Sequence, residues 1–422
     1  MLESHHVVVA FLTLGLFVSG WLLTKLRRYW DKRIKFPNQA FKVPLLDRYL
    51  VVVTGRDMID DILKAGDNEL SHLQILREIF HVDTLLGHAV WETPYHIELV
   101  RGALTRHLSG MFGEVYDELA RAFDDEIPAS DDWVKVPTLE KALNIACRIN
   151  NRLFIGLPLC RNEEWKELNI RLAIDFFAAA AKVNLFPRFM QRLVAWYLNP
   201  VRPSLKIALK HLEPVIYERV RKFKAREEDL VPLKLEDDFL TWMIQAAPKD
   251  SDRWLQPVDL ATRLLEINMT SIHNPVRTTV SLAFTHAMIN LASHPEYIEP
   301  LQKETESILK KDGWSKAAMG KMRMLDSFLK ESQRVSSSNA ISIRRIALKD
   351  FVFTNGTVIP AGTMVATSPS ALHFDETFYL NPLEFDGFRS YRQRQLEGES
   401  LKHQMVTPAP NYVAFGAGKH AW

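Results

Sequence analysis

Five segments of this 422-residue chain repeat their apolar residues every three or four positions, which is the spacing of one face of an α-helix. These segments are Phe112–Phe123, Leu139–Phe154, Glu163–Ala181, Leu205–Lys224 and Leu260–Ala292. Runs rich in β-branched residues, which are typical of strands, occur only toward the two ends, at 49–54, 342–347, 351–353 and 364–366. The polar stretch 389–402 is predicted to be a loop. The pattern predicts a mainly α protein with small β-sheets.

An apolar run at residues 7–23 is close to the ~20 residues that a helix needs to cross a bilayer. Basic residues follow it directly, at Lys25, Arg27, Arg28, Lys32, Arg33 and Lys35. Because basic flanks stay on the cytosolic side, the rest of the chain is expected in the cytosol. A cleaved signal peptide would need basic residues before the run and small residues after it, and both are missing. The sequence therefore predicts a membrane anchor in 1–35 and a globular domain in 36–422.

Composition argues against several other classes of protein. The formal net charge is only +2, so no basic field would attract nucleic acid. There are 17 glycines and no Gly-x-Gly-x-x-Gly after an apolar strand, which disfavours a dinucleotide-binding fold. The two cysteines, Cys147 and Cys160, fit a reducing compartment, and no Cys/His cluster has the spacing of a zinc site.

Three polar or glycine-containing segments follow one another in the last quarter of the chain. Glu331 and Arg334 stand at i, i+3 of a predicted helix, where opposite charges share a face. An aromatic segment then ends at Arg389. The third segment is a loop with Phe415, Gly416, Gly418 and His420. A single Glu–Arg pair is usually a solvated surface pair, so the ordered set carries the prediction.

In this order the three segments resemble the signature of the cytochrome P-450 family. Glu331 and Arg334 match the family's E-x-x-R motif, and Arg389 ends its aromatic-Arg segment. The loop matches the haem-binding pattern F-x-x-G-x-[RH]-x-C at Phe415, Gly418 and His420, and Gly416 lies within the same loop. The resemblance implies a cytochrome P-450-like fold in which Glu331, Arg334 and Arg389 form a buried charge network that braces the haem loop.

The resemblance also implies a chemistry and a set of partners. The cofactor would be haem (iron protoporphyrin), and the reaction would be monooxygenation of an apolar small molecule with O2. Electrons would come from an NADPH-dependent reductase on the same membrane. The sequences at residues 156–161 and 373–376 resemble those of the fungal microsomal branch of the family, which oxidises terpenoids and other secondary metabolites. The expected location is the endoplasmic reticulum membrane, with a single span and a cytosolic catalytic domain.

The sequence departs from the family at the last position of the haem loop. Trp422, the final residue, stands where the family has the cysteine whose thiolate binds iron. An indole N–H is only a hydrogen-bond donor and cannot replace a thiolate. We therefore expect a C-terminally incomplete catalytic domain without thiolate-haem chemistry. Two alternatives to a working enzyme stay open: a truncated, inactive product, and a haem-free membrane-anchored binding or regulatory protein.

A second departure lies in the central helix. His273 and Asn274 stand where the family has an acid or His followed by a Thr, which deliver protons to bound oxygen. Pro275 breaks the local hydrogen bond and predicts a kink. Proton relay by His273, Asn274 and water is one interpretation, because the pKa of His suits this role. A bent core helix without such a role is the other.

Two further sets of residues are candidates for ligand contacts. The first comprises His96, Arg101, Arg344 and Arg345, as partners of the haem carboxylates or as solvated surface. The second is an aromatic stretch at Phe176, Phe177, Phe186, Phe189, Trp196 and Tyr197. Spacing favours the core for this stretch, whereas the resemblance places it in a lid over the site and partly in the membrane.

Overall fold

The computed structural model describes residues 39–45, 48–87, 90, 93–227, 235–272, 281–337 and 339–418. The predicted span 7–23 and the candidates His273, Asn274, His420 and Trp422 lie outside these ranges, and their roles stay predictions. The described residues form two compact units. The first unit is built from 39–72, 339–384 and 408–418, and the second from 73–337 and 385–407.

The strands all lie in the first unit. They are β1 Ala40–Pro44, β2 Tyr49–Val53, β3 Leu70–Ser71, β4 Ser342–Ala347, β5 Phe351–Val352, β6 Val358–Ile359 and β7 Met364–Thr367. One sheet has the order β1-β2-β7-β4-β3, with β2 and β7 parallel and the other neighbours antiparallel. Strands β5 and β6 pair separately. The predicted strand runs are confirmed, because their β-branched residues fill the buried positions of this sheet.

The helices account for most of the described chain. They are α1 Arg56–Lys64, α2 His72–Phe80, α3 Val82–Leu85, α4 Tyr95–Leu99, α5 Thr105–His107, α6 Phe112–Glu126, α7 Thr138–Phe154, α8 Glu163–Val183, α9 Arg188–Tyr197, α10 Val201–Glu227, α11 Phe239–Ala246, α12 Pro257–Ile272, α13 Ser281–Ser293, α14 Ile298–Asp312, α15 Lys316–Lys321, α16 Arg323–Val335, α17 Pro369–His373 and α18 Arg389–Gln393. A π-helical segment, Val100–Leu104, joins α4 to α5.

The five predicted helical segments are confirmed, and the described parts of 260–292 lie in α12 and α13. The prediction of a loop at 389–402 is wrong in its first turn, which is α18. The backbone N–H of Tyr391 in this turn donates to the Ser327 hydroxyl of α16 at 2.9 Å, so a tertiary contact supports a helix that the sequence alone does not favour. Among the described residues, no helix is both long and apolar enough to cross a bilayer.

Each unit has its own hydrophobic core. In the first unit, buried side chains of α1, including Met58 and Ile59, pack against Val53 and Val365 of the sheet. In the second unit, α12 is buried along most of its length and packs against α7, α8 and α10. A smaller cluster joins α13, α14 and α16 through Ala287, Leu301 and Phe328. These cores fix the helices and strands that carry the candidate functional residues.

Candidate functional site

The second unit brings Glu331 and Arg334 of α16 together with Arg389 of α18. Glu331 and Arg334 are 3% and 2% exposed, so this ion pair is buried and not a surface pair. The Arg334 guanidinium donates to both carboxylate oxygens of Glu331, at 2.8 and 2.7 Å. Arg389 Nε donates to Glu331 Oε1 at 3.3 Å, and the backbone N–H of Asp386 donates to the same oxygen at 3.0 Å. One buried carboxylate therefore holds two guanidiniums and a backbone amide, an arrangement that depends on every partner.

Close backbone packing fixes the segment that carries Arg389. Gly387 donates its N–H to the Tyr297 hydroxyl at 3.1 Å. A Cβ at this glycine would lie 2.8 Å from a ring carbon of Tyr297 and 2.9 Å from one of Phe328. Phe385 and Phe388 also contact the Tyr297 ring edge-to-face. The aromatic residues before Arg389 thus anchor it, and glycine is the residue that fits this approach.

The first unit holds the glycine-containing loop. Gly416 and Gly418 have φ of 76° and 71°, the left-handed region that glycine adopts without strain. The loop is fixed by His373 of α17, whose Nε2 accepts a hydrogen bond from the Val413 N–H at 3.2 Å. The ring of His373 stacks on Tyr412 with a centroid distance of 5.4 Å. The sequence does not predict this role of His373, because nothing in its local pattern points to a loop forty residues away.

Arg344, also in the first unit, is a cation without an anionic partner among the described residues. Its side chain is half-buried, and no carboxylate of the described residues lies within ion-pair distance of it. Burial alone lowers the pKa of the Arg344 guanidinium. The preceding residue, Ile343, has a φ of 50°, which is strained for a β-branched side chain, and the register of β4 against β7 shifts between Ser342 and Arg345. A β-bulge of this kind redirects a side chain, and here it leaves Arg344 available for an anionic ligand.

The other cationic candidates differ in their surroundings. Arg101 is exposed on the π-helical segment and, within the described chain, has no ion-pair partner. His96 is fully buried, and both of its ring nitrogens are occupied. Its Nδ1 lies 3.0 Å from Arg263 Nη1 and its Nε2 lies 3.0 Å from Glu266 Oε2. Because a guanidinium only donates, Nδ1 accepts and Nε2 carries the proton. This network leaves no ring nitrogen for a haem carboxylate, contrary to the expectation for His96.

Arg345, the remaining cationic candidate, turns away from the solvent. It is 4% exposed and donates from Nη1 to the Arg344 carbonyl at 2.8 Å. Burial lowers the pKa of its guanidinium, and the charge of Asp67 opposes this shift. Of the two adjacent arginines, Arg344 is therefore the one whose surroundings favour an external anion.

Neither cysteine is suited to bind iron as a thiolate. Cys147 and Cys160 are both fully buried in the second unit, and their thiols are free of disulfides. Burial raises the pKa of Cys147 to about 12. Burial and the nearby Glu118 carboxylate raise the pKa of Cys160 to about 11. Both thiols keep their protons at neutral pH, whereas a metal ligand must be the thiolate.

The aromatic stretch divides between core and surface. Phe176 is 1% exposed and contacts Phe177 edge-to-face at 5.3 Å. The residues of α9 point the other way: Phe189, Trp196 and Tyr197 are 85%, 53% and 79% exposed. The expectation of a core position is confirmed for Phe176 and wrong for α9. Helical spacing identifies an apolar face, but it does not say whether that face meets the protein core or the outside.

Comparison with known proteins identifies the class to which these elements belong. The cytochrome P-450 family model matches residues 13–421. Cytochrome P-450 monooxygenase 103 of Postia placenta is 37% identical over 390 residues, which cover 92% of this chain and 76% of the relative. Cytochrome P-450 monooxygenase AN1598 of Emericella nidulans is 32% identical over 397 residues, covering 92% and 71%. The chain belongs to the cytochrome P-450 family, whose members are haem-dependent monooxygenases that receive electrons from a redox partner and act on apolar substrates.

The described residues suit some of the contacts that the family's haem cofactor requires. In the first unit, Arg344 has no carboxylate of the described residues within ion-pair distance and suits a haem carboxylate, and Gly418 stands at the glycine of the family's haem-loop pattern. The thiolate does not fit, because residue 422 is tryptophan and both cysteines are buried and protonated. The residues of this sequence therefore provide the carboxylate and loop contacts of a haem site without its sulfur ligand.

Proposed function

We propose that this protein, in the full-length form of its family, is a haem monooxygenase that oxidises an apolar metabolite, a terpenoid or another secondary metabolite, with O2 and electrons from an NADPH-dependent reductase. The observation that carries the proposal is the buried Glu331–Arg334–Arg389 network, which stands at the family's motif positions. Haem, when bound, supplies oxygen activation and electron transfer. The membership of the family supports the reaction class, and the apolar aromatic composition around α8 supports an apolar substrate.

The chain's own residues have three tasks in this proposal. Arg344 would bind a carboxylate of the cofactor as a charge-assisted donor. His273 and Asn274 would hold and move the proton that the reaction consumes. Glu331 keeps Arg389 in place, so that the segment around it has one conformation.

The experiment is expression, in microsomes with a fungal reductase, of a chain in which cysteine replaces Trp422 and is followed by the corresponding residues of the Postia placenta relative. The readouts are haem content and NADPH-dependent products that are one oxygen atom heavier than members of an apolar terpenoid panel. The Glu331→Gln variant should lose both readouts, since it leaves two guanidiniums with a neutral partner. Glu299→Gln is the matched control, because Glu299 pairs with Lys303 on the surface, where their side chains are 76% and 74% exposed. Equal product formation by Glu331→Gln and the control would overturn the role of the network.

A second candidate function is favoured by residue 422 and by the two protonated cysteines. In this alternative the chain is catalytically inactive, or binds an apolar ligand without haem, because residue 422 is tryptophan and both cysteines keep their protons. The two functions are separated by equilibrium binding of the terpenoid panel to haem-free protein. Tight binding without haem favours the binding protein, whereas haem uptake and oxidised products favour the oxygenase.

The same proposal places the protein in the endoplasmic reticulum membrane, with 7–23 as its single span and residues 36–422 in the cytosol. Helix α9 supports a membrane location, because Phe189, Leu193, Trp196 and Tyr197 recur at helical spacing and are all exposed. Arg188 and Arg192 flank this face and suit anionic lipid headgroups. Sedimentation of the chain with microsomes after carbonate extraction would be expected. Release into the supernatant would contradict the anchored state.

A further inference from the structure

A second carboxylate of α16 holds the far end of the 385–407 segment. Asp326 accepts a hydrogen bond from Arg394 Nη1 at 2.9 Å. The backbone N–H of Met405 donates to both oxygens of Asp326, each at 3.2 Å. Arg394 is only 4% exposed, and its Nε donates to the Ser400 carbonyl at 3.1 Å. Asp326 thus joins residues 394, 400 and 405 to one point on the helix.

The contacts along α16 follow the order of the segment. Asp386 and Arg389, at its beginning, bind Glu331 near the C-terminal end of the helix. Tyr391 then binds Ser327, about 6 Å further toward the N-terminus at 1.5 Å per residue. Arg394 and Met405 bind Asp326, the residue before Ser327. The segment therefore runs antiparallel to α16 and is fixed at both ends by carboxylates.

The contacts of Arg394 affect those of Arg389 because the connection between the two residues is short. Only four residues separate Arg389 from Arg394, and α18 fills this interval as a single helical turn. A short turn with both ends bonded cannot shift at one end without straining the other. Loss of the Asp326 contacts would give the segment alternative positions and so weaken the hold of Glu331 on Arg389 and the Asp386 amide.

We infer that Asp326 is a positioning residue for the Glu331–Arg389 contact, which it controls through Arg394 and the turn of α18. This role goes beyond the Glu331–Arg334–Arg389 network. It depends on contacts within the second unit only, so it can be tested independently of the proposed oxidation chemistry.

Amide-resolved hydrogen exchange on the intact chain tests the inference. In Asp326→Asn, the Met405 amide should exchange about tenfold faster, which corresponds to about 1.4 kcal/mol in opening free energy. The Asp386 amide, which is bonded to Glu331 and not to Asp326, should also exchange at least about threefold faster. A purely local role for Asp326 predicts faster exchange at Met405 and no change at Asp386, and that result would overturn the inference.

Two further variants complete the test. Glu399→Gln is the control within the same segment, because Glu399 pairs with Lys402 and His403 at the surface, and neither amide should change. Arg394→Lys keeps the charge but cannot reach both Asp326 and the Ser400 carbonyl with a guanidinium fork. It should accelerate exchange at the Asp386 amide, and it decides the question if Asp326→Asn does not fold. An unchanged Asp386 amide in Arg394→Lys would overturn the inference equally.

Discussion

At the scale of single residues, the environment of the Glu–Arg motif decides what each side chain does. Glu331 is buried with two guanidiniums, so its charge is needed to compensate theirs. Lys330, the residue before it, is 8% exposed and lies beside Asp326 and Arg394. Gly387 is required because two aromatic rings occupy the space of a Cβ. Each of these positions has a specific physical requirement that a substitution can test.

Gly387→Ala should destabilise the protein by about 1–3 kcal/mol, because the new methyl group would overlap the rings of Tyr297 and Phe328. Gly320→Ala is the matched control. Gly320 lies in α15, and a Cβ there meets nothing within 4 Å. It should stabilise the protein by about 0.5–1 kcal/mol, since alanine favours a helix over glycine. Urea unfolding measures both. A Gly387→Ala variant as stable as the wild type would contradict the close packing.

Lys330 should make stability rise with pH above neutrality. Burial lowers the pKa of its ammonium to about 8 from an ordinary value of 10.5. Between these two pH values the unfolded chain binds the proton more strongly than the native state, so the free energy of unfolding increases with pH. Below pH 8 the native state carries a buried charge, and Lys330→Met should remove a penalty on the order of 3 kcal/mol.

The measurement for Lys330 is the difference between wild type and Lys330→Met in unfolding free energy from pH 7 to pH 10. Taking a difference cancels the opposite contribution of the two cysteines, whose raised pKa values make stability fall above pH 9. The gap between the two proteins should shrink as pH rises. Lys303→Met, at a position where the lysine side chain is 74% exposed, should show no such gap. A gap of constant size would contradict a buried ammonium.

At the scale of secondary-structure elements, sequence periodicity predicts that a helix or strand is present better than it predicts what that element packs against. The five helical segments and the strand runs are present, because apolar spacing is a property of the segment itself. The turn of α18 and the exposed face of α9 are not predicted, since both depend on what lies beside them. The contacts of Asp326 and His373 were missed for the same reason, as each bonds to a backbone amide far along the chain.

A fluorescent label on α9 tests its contact with lipid. The native cysteines are buried and protonated, so a maleimide dye should react selectively with a cysteine introduced as Phe189→Cys. Phe189 is 85% exposed, so the substitution should change stability by less than about 0.5 kcal/mol. With vesicles that contain an anionic phospholipid, the dye at 189 should shift its emission to the blue. The same dye at Glu299→Cys should not. Identical emission at both positions would contradict a lipid-facing α9.

At the scale of the whole molecule, family membership indicates a haem-thiolate enzyme, whereas the residue at position 422 cannot supply the thiolate. The family model covers residues 13–421, and the charge network and the glycine loop have the geometry that the motifs imply. Position 422, by contrast, is tryptophan, and both cysteines lie in the core of the second unit. The sequence could predict the motif residues, because they keep a fixed order. It could not predict the effect of the Glu118 carboxylate on the pKa of Cys160, because the two residues are far apart in the sequence.

The most direct test is the absorption spectrum of the reduced chain treated with carbon monoxide in microsomes. It is compared with a chimera in which cysteine replaces Trp422 and is followed by the corresponding residues of the Postia placenta relative. The red-shifted band of a thiolate-bound haem should be absent from the present chain and should appear in the chimera. Such a band in the present chain would mean that Cys147 or Cys160 binds iron, and its absence from the chimera would mean that position 422 is not the ligand position. Either result would contradict this account of the haem site.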